Sequence, residues 1–261
     1  MKHLASFVLT VFAVVSLVSA ADLQQERLRR FSEAKFGMFI HWGPYSLASV
    51  EASWPIMIPG KWGISETDYR ALPQKFNPVE FDARSWVRLA KAAGQRYMVF
   101  TSKHHDGFCM FDSQFTDYKI TQTPYGKDIV AELAEAARAE GMPLGFYYSP
   151  PDMNHPAFRD TTKLSSTNWQ GEPQRPEWPL YLDYMELQVR ELLTRYGEVF
   201  VVWFDGLGNK KIRGRALPRA DSLAAADGTR QQPDRAHRRF RDPGAALAEW
   251  HPAQRGGRRQ C

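Results

Sequence analysis

Three times along the chain, a run with helical spacing stops at a glycine and gives way to a short apolar run. Asp82 to Ala93 places Trp86, Leu89, Ala90 and Ala93 on one face, stops at Gly94, and is followed by Tyr97-Met98-Val99-Phe100-Thr101. Lys127 to Glu140 repeats the pattern with Val130, Leu133, Ala134 and Ala137, then Gly141, then Leu144-Gly145-Phe146-Tyr147-Tyr148. Tyr181 to Tyr196, Gly197 and Val199 to Phe204 form the third copy. Each glycine sits where a helix C-cap needs positive φ. With Gly37-Met38-Phe39-Ile40 as a first strand, the pattern predicts four strands alternating with helices, which indicates βα units around a parallel sheet.

Polar and aromatic residues gather just after each predicted strand: His41 and Trp42, then His104, His105 and Asp106, then Tyr147 and Tyr148, then Trp203 and Asp205. A (β/α)8 barrel keeps its active site at that end of its strands. A doubly wound open sheet binds ligands there too, but no Gly-rich phosphate loop follows any of these strands. The expected fold class is therefore α/β, a TIM barrel of the (β/α)8 type, incomplete, with about its first four βα units present. A long insert, 150–179, is rich in Pro, Asn, Thr and Ser and contains His155 and Trp169. It reads equally as a loop lining the site or as a surface excursion.

The ends of the chain have a different character. Lys2, the apolar run Leu4 to Val18 and the small residues Val18-Ser19-Ala20 read as a signal peptide over 1–20; an uncleaved anchor is the alternative. The expectation is a secreted or periplasmic protein with no membrane contact once the signal is cleaved. Residues 210–261 hold 13 basic and 5 acidic side chains, whereas 1–209 hold 21 and 24. The formal net charge of +5 thus belongs to the tail and argues for no nucleic-acid partner of the main body. Two cysteines, Cys109 and Cys261, offer no disulfide framework. The eight Trp suit a carbohydrate site but also ordinary core packing.

Asp205, at the end of Val201-Val202-Trp203-Phe204, is placed to face the barrel mouth, where a retaining glycosidase needs a carboxylate nucleophile. A cap for a following helix is the simpler reading of the same residue. His104-His105-Asp106-Gly107-Phe108 contains metal-ligand types, but no further cluster with convincing spacing completes a metal shell. Neutral imidazoles bonding sugar hydroxyls fit better, and no metal or other cofactor is expected. Side chains of adjacent residues on an extended segment point opposite ways, so one histidine is expected in the site and one in its wall.

The segments Phe36-Gly37-Met38-Phe39-Ile40-His41-Trp42-Gly43, His104-His105-Asp106-Gly107-Phe108 and Trp203-Phe204-Asp205-Gly206 resemble, in order, three motifs of the α-L-fucosidases, family 29 of the glycoside hydrolases. The resemblance runs from about Leu28 to Asn209 and makes 21–209 the N-terminal part of the catalytic barrel. It implies retaining hydrolysis of terminal α-L-fucose on glycoconjugates, without cofactor. It assigns the nucleophile to Asp205 and substrate contacts to His41, His104, His105, Tyr148 and Trp203. Many members carry a Glu-Trp pair after the first strand; here Ser53-Trp54 is the nearest match, with Glu51 two positions earlier, so Trp54 is carried over and the Glu contact is not.

After Asn209 the sequence turns Arg/Ala/Pro/Gly-rich, a composition that reads as a disordered tail over 210–261. It lacks the aromatic interleaving of a single-strand RNA arm. Back-translation of Gln231 to Ala245 and a one-base advance yields N-N-R-I-G-L-T-G-D-F-E-T-P-E, in the family's style, so a frameshift is the favoured reading. The general acid/base would then be absent, and the chain is expected to be inactive as it stands. A non-catalytic fucose-binding remnant and a metal-dependent hydrolase are the rival functions. The oligomeric state is not legible.

Overall fold

The computed structural model describes residues 20–58, 60–165, 173 and 177–206. The expected signal segment (but for Ala20), Trp169, residues 207–209 and the 210–261 tail lie outside them. The chain divides into two compact units at Lys35. The first contains helix α1, Ala20–Ala34, in which Arg29 pairs with Glu26 and Glu33 at helical spacing.

The second unit is built as the alternating pattern predicts. Strands β1 (Met38–Ile40), β2 (Met98–Lys103), β3 (Leu144–Tyr148) and β4 (Val202–Phe204) form one parallel sheet in the order β1-β2-β3-β4. Two short helices, α2 (Trp54–Met57) and α3 (Glu66–Ala71), and helix α4 (Ala83–Ala92) lie between β1 and β2. Helices α5 (Ile129–Glu140) and α6 (Trp178–Arg195) make the next two crossovers. Asp82 caps α4 by accepting the N–H groups of Arg84 and Ser85, and Asp128 caps α5 by accepting that of Ala131. Gly141 ends α5 at φ 64°, in the left-handed conformation that its position requires. Helix α6 starts three residues earlier than the sequence pattern suggests, because Trp178 and the first-turn Pro179 extend it.

The sheet is rolled. Adjacent strands lie about 4.8 Å apart, so in a flat sheet β1 and β4 would be separated by about 14 Å. Yet Phe39 of β1 and Trp203 of β4 bring their ring centroids within 5.3 Å, with Tyr147 of β3 5.9 Å from Phe39. These rings share the inner face. The outer face carries Met98, Phe100, Leu144 and Phe146, packed under Val87, Ala90, Leu133, Val189 and Leu192 of the helices. Such a rolled parallel sheet with its helices outside is the (β/α)8-type arrangement, here with four strands among the described residues. β2 and β3 are buried throughout, whereas β1 and β4 are only partly covered.

A second core lies among the segments that follow β1 and β3: Ile56, Tyr69, Met153, Phe158, Tyr181 and Tyr184. The first half of the 150–179 insert is therefore packed, not a surface excursion. One ion pair pins it. The Lys103 ammonium, at the end of β2, bonds the Asp152 carboxylate at 2.8 Å with both side chains shut off from solvent, and it sits 4.5 Å from the centre of the Tyr148 ring. Asp152 also accepts the N–H groups of Asn154 and His155, which sets the turn. Asp152→Ala would strand a buried cation and is expected to cost about 3–5 kcal/mol. Glu140→Ala breaks only the solvent-side pairs with Arg88 and Lys91 and should cost far less. Urea unfolding measures both, and equal losses would show that the Lys103–Asp152 pair does not hold the insert.

Candidate active site

The C-terminal ends of the strands open onto a cavity of about 210 Å³ lined by His41, Tyr45, Val50, Glu51, Ala52, Trp54, His104, His105 and Asp205. Five of the seven residues singled out in the sequence are in that wall: His41, Trp54, His104, His105 and Asp205. Trp203 lies on the same inner face but does not line the cavity; its ring packs on Phe39 and stays 45 % exposed. Tyr148 does not reach the cavity. It is fully buried in the outer layer, and its hydroxyl donates to Gln188 Oε1. Strand alternation is the reason: Tyr147 faces inward, so Tyr148 must face outward.

Tyr147 is the inner residue that the sequence reading missed. Its hydroxyl donates to Asp205 Oδ2 at 2.8 Å, and its ring stacks on His104 at 5.3 Å and meets His41 edge-on at 4.8 Å. Burial, followed by the Asp205 carboxylate, pushes the Tyr147 phenol upward, so it stays a donor. The Gly206 N–H donates to Asp205 Oδ1 at 2.6 Å, so both carboxylate oxygens are held while the side chain remains 47 % exposed to the cavity. Period-two counting on Gly145-Phe146-Tyr147-Tyr148 from the inward-facing Asp205 rung would have found Tyr147.

His104 and His105 both line the cavity, contrary to the expectation that adjacent histidines point apart. The backbone leaves extended geometry after Lys103: Gly107 N–H returns to His104 O, with Gly107 at φ 83°. A methyl group at Gly107 would overlap Asp152 Oδ1, so the turn needs glycine for space as well as for φ. His104 Nδ1 meets Ser53 Oγ at 2.6 Å, and His105 Nδ1 meets Ser149 Oγ at 2.5 Å. His105 Nε2 is 3.6 Å from Asp205 Oδ2. Asp106 takes no part in the cavity. It is buried, accepts from the Tyr69 hydroxyl and the Phe108 N–H, and has its carboxyl pushed up by that burial. Among the described residues, the group that could hold a metal ion is instead His104, His105 and Asp205, whose ligand atoms lie within 4.8 Å of one another. Asp205 stands a hundred residues from the histidine pair, which is why sequence spacing could not reveal the cluster.

Burial lowers the pKa of His41 and His104, and that of His105 to about 4, against the opposing pull of Asp205 on His41 and His105. Burial takes His155, packed against Tyr184 in the second core, to about 4 as well. The imidazoles are thus neutral at neutral pH. Because the unfolded histidines protonate near pH 6.5 and the folded ones resist, stability is full above that pH and declines until about pH 4. His155 accounts for on the order of 3 kcal/mol of that decline, and His105 contributes in the same direction. Asp106 and Glu191, whose carboxyls burial pushes up, offset part of it. Urea unfolding of the chain at pH 7.5, 5.5 and 4.5 should show the decline, and His155→Gln should flatten it. A profile unchanged by that substitution would contradict the buried neutral imidazole.

Comparison with known proteins places this architecture. Residues 16–241 match the family model described as Alpha-L-fucosidase, a match that continues past Asn209, where the motif-based resemblance ends. α-L-Fucosidase 1 of Arabidopsis thaliana is 35 % identical over 172 residues, 65 % of this chain and 28 % of that protein. The plasma α-L-fucosidase of Homo sapiens is 31 % identical over 192 residues, 68 % of this chain and 39 % of that protein. The chain thus spans well under half the length of these relatives. Among solved structures, α-L-fucosidase isoenzyme 1 from Paenibacillus thiaminolyticus aligns with a TM-score of 0.59 at 43 % identity, covering 70 % of this chain and 43 % of that one. A family 29 α-L-fucosidase from Bacteroides thetaiotaomicron, trapped as a covalent intermediate with 2-fluoro-fucosyl fluoride, aligns with a TM-score of 0.61 at 31 % identity, covering 72 % and 43 %. From the strand-end motifs to the family match over most of its length, the findings agree: this chain belongs to the α-L-fucosidase family.

Proposed function

We propose that the chain carries the nucleophile side of a retaining α-L-fucosidase site acting on terminal fucose of glycoconjugates. The observation that carries this reading is Asp205, half-exposed at the end of β4 and held by Tyr147 and Gly206 on the wall of the histidine-lined cavity. In the first step, an Asp205 oxygen attacks the anomeric carbon, the glycosidic bond breaks, and the leaving oxygen takes a proton from a second carboxyl group. In the second, water, deprotonated by that carboxylate, releases fucose and frees Asp205. Tyr147 donates to Oδ2 and so steadies the carboxylate before and after attack. His41, His104, His105 and Trp54 provide imidazole and aromatic contacts for the sugar.

A retaining pair stands about 5–5.5 Å apart. The second carboxyl group belongs, in this proposal, to the family segment displaced by the frameshift read after Asn209. Hydrolysis of an aryl α-L-fucoside is expected to be slight for the 261-residue chain and robust once the frame is restored. In the restored chain, Asp205→Ala should abolish turnover, and azide, entering the vacated space as an external nucleophile, should recover part of it. Robust turnover by the chain as given would overturn the reading of the tail. Full activity of Asp205→Ala would overturn the nucleophile.

The cluster of His104, His105 and Asp205 favours one second reading, a metal-dependent hydrolase. Loss of activity on chelation and its return with Zn²⁺ would support that reading; indifference to chelator would reject it. Saturable fucose binding without hydrolysis in the restored chain would mark a sugar-binding remnant instead. The chain is also proposed to be exported, on the strength of Lys2, the apolar run to Val18 and the small residues before Ala20. N-terminal sequencing of the secreted product should begin at Ala21, and a start at Met1 would refute cleavage.

A further inference from the structure

Two histidines of the cavity are held by the same device. His41 Nδ1 lies 2.5 Å from Thr101 Oγ1, and that hydroxyl lies 2.8 Å from the backbone oxygen of Ile40. His105 Nδ1 lies 2.5 Å from Ser149 Oγ, and that hydroxyl lies 2.7 Å from the backbone oxygen of Pro151. A carbonyl oxygen only accepts, so each hydroxyl must give its single proton to the carbonyl. The hydroxyl oxygen is then left to accept, and the imidazole Nδ1 must be the donor. In a neutral ring, that choice puts the lone pair on Nε2. Thr101 and Ser149 are themselves buried, so water does not compete for either hydroxyl.

We propose that Thr101 and Ser149 are positioning residues that fix His41 and His105 as Nδ1–H tautomers, so that the cavity meets its ligand with two imidazole acceptors at Nε2. The consequence concerns specificity. Asp205 adds carboxylate oxygens to the same wall, so these three side chains present acceptors to a ligand. A ligand that fits must supply hydroxyl donors to them, as a sugar does, and one with ether or carbonyl oxygens at those points would face lone pairs. His105 Nε2 lies 3.6 Å from Asp205 Oδ2, beyond hydrogen-bonding distance, and that oxygen already accepts from the Tyr147 hydroxyl. This recognition half rests on the sugar-binding reading above; the tautomer assignment does not.

The test is ¹⁵N NMR of the full chain labelled at histidine, without ligand, at pH 7.5. Both rings should show a protonated Nδ1 and a pyridine-like Nε2. Thr101→Val, close to the native shape, should release His41 towards the Nε2–H tautomer, and Ser149→Ala should do the same for His105. Thr101→Ser, which keeps the hydroxyl, should restore the His41 pattern. L-Fucose should bind about five- to tenfold more weakly to each hydroxyl-deleted variant, the loss of one hydrogen bond, and near normally to Thr101→Ser. An Nε2–H resonance at either ring of the unsubstituted chain would overturn the assignment, whatever fucose does. Both Nδ1–H tautomers intact with no fucose binding would overturn the recognition half and, with it, the sugar reading.

Discussion

The Lys103–Asp152 pair is the fixed point of the molecule. A charge withdrawn from water this completely is tolerable only beside its counter-charge, with the remaining lone pairs occupied. Asp152 meets both conditions by bonding Lys103 and capping its own turn, and Tyr148 adds its ring face to the ammonium. Because Lys103 immediately precedes His104 and His105, and Asp152 immediately follows Pro151, one bond sets two segments of the cavity. Met153 N–H returning to His105 O and Ser149 N–H to Lys103 O tighten the same joint. The Gly107 turn packs against this carboxylate, which is why the histidine pair can depart from strand geometry and enter the site together.

Much of this architecture was legible in the chain. Helical spacing closed by Gly94, Gly141 and Gly197 gave three helices and the strands that follow them, because helix ends and parallel strands are governed by local sterics and continuous burial. The position of Asp205 followed from its place after an apolar run. Legibility failed where direction or distance along the chain mattered. Tyr147 and Tyr148 are chemically identical neighbours, and only the inward rung of β3 tells them apart. The split of the His-His-Asp triplet, with Asp106 turned to Tyr69 and Asp205 in its place, depends on a turn and on a residue a hundred positions away. The packed state of the 150–165 segment rests on Lys103, which no feature of the insert itself announces.

The rolled sheet joins these local facts to the proposed chemistry. Converging inner faces bring His41, His105 and Asp205, each from a different strand end, onto one cavity, with the Tyr147 hydroxyl bonded to Asp205. Burial keeps the imidazoles neutral, Tyr147 remains a donor to Asp205, and committed hydroxyls decide which ring nitrogen faces the ligand. In the proposed reading, the carboxylate is therefore oriented before any sugar arrives, and preorganisation of that kind would lower the barrier to attack without movement at the moment of reaction.

Covalent capture tests the nucleophile most directly. A 2-fluoro-fucosyl fluoride carries a leaving group that departs without a proton, so the first step needs Asp205 and not the general acid. Incubation of the 261-residue chain with this reagent, followed by peptide mapping in a mass spectrometer, should show one 2-fluoro-fucosyl group on the peptide containing Asp205, and none in Asp205→Asn. A label on any other residue, or equal labelling of the variant, would contradict the assignment.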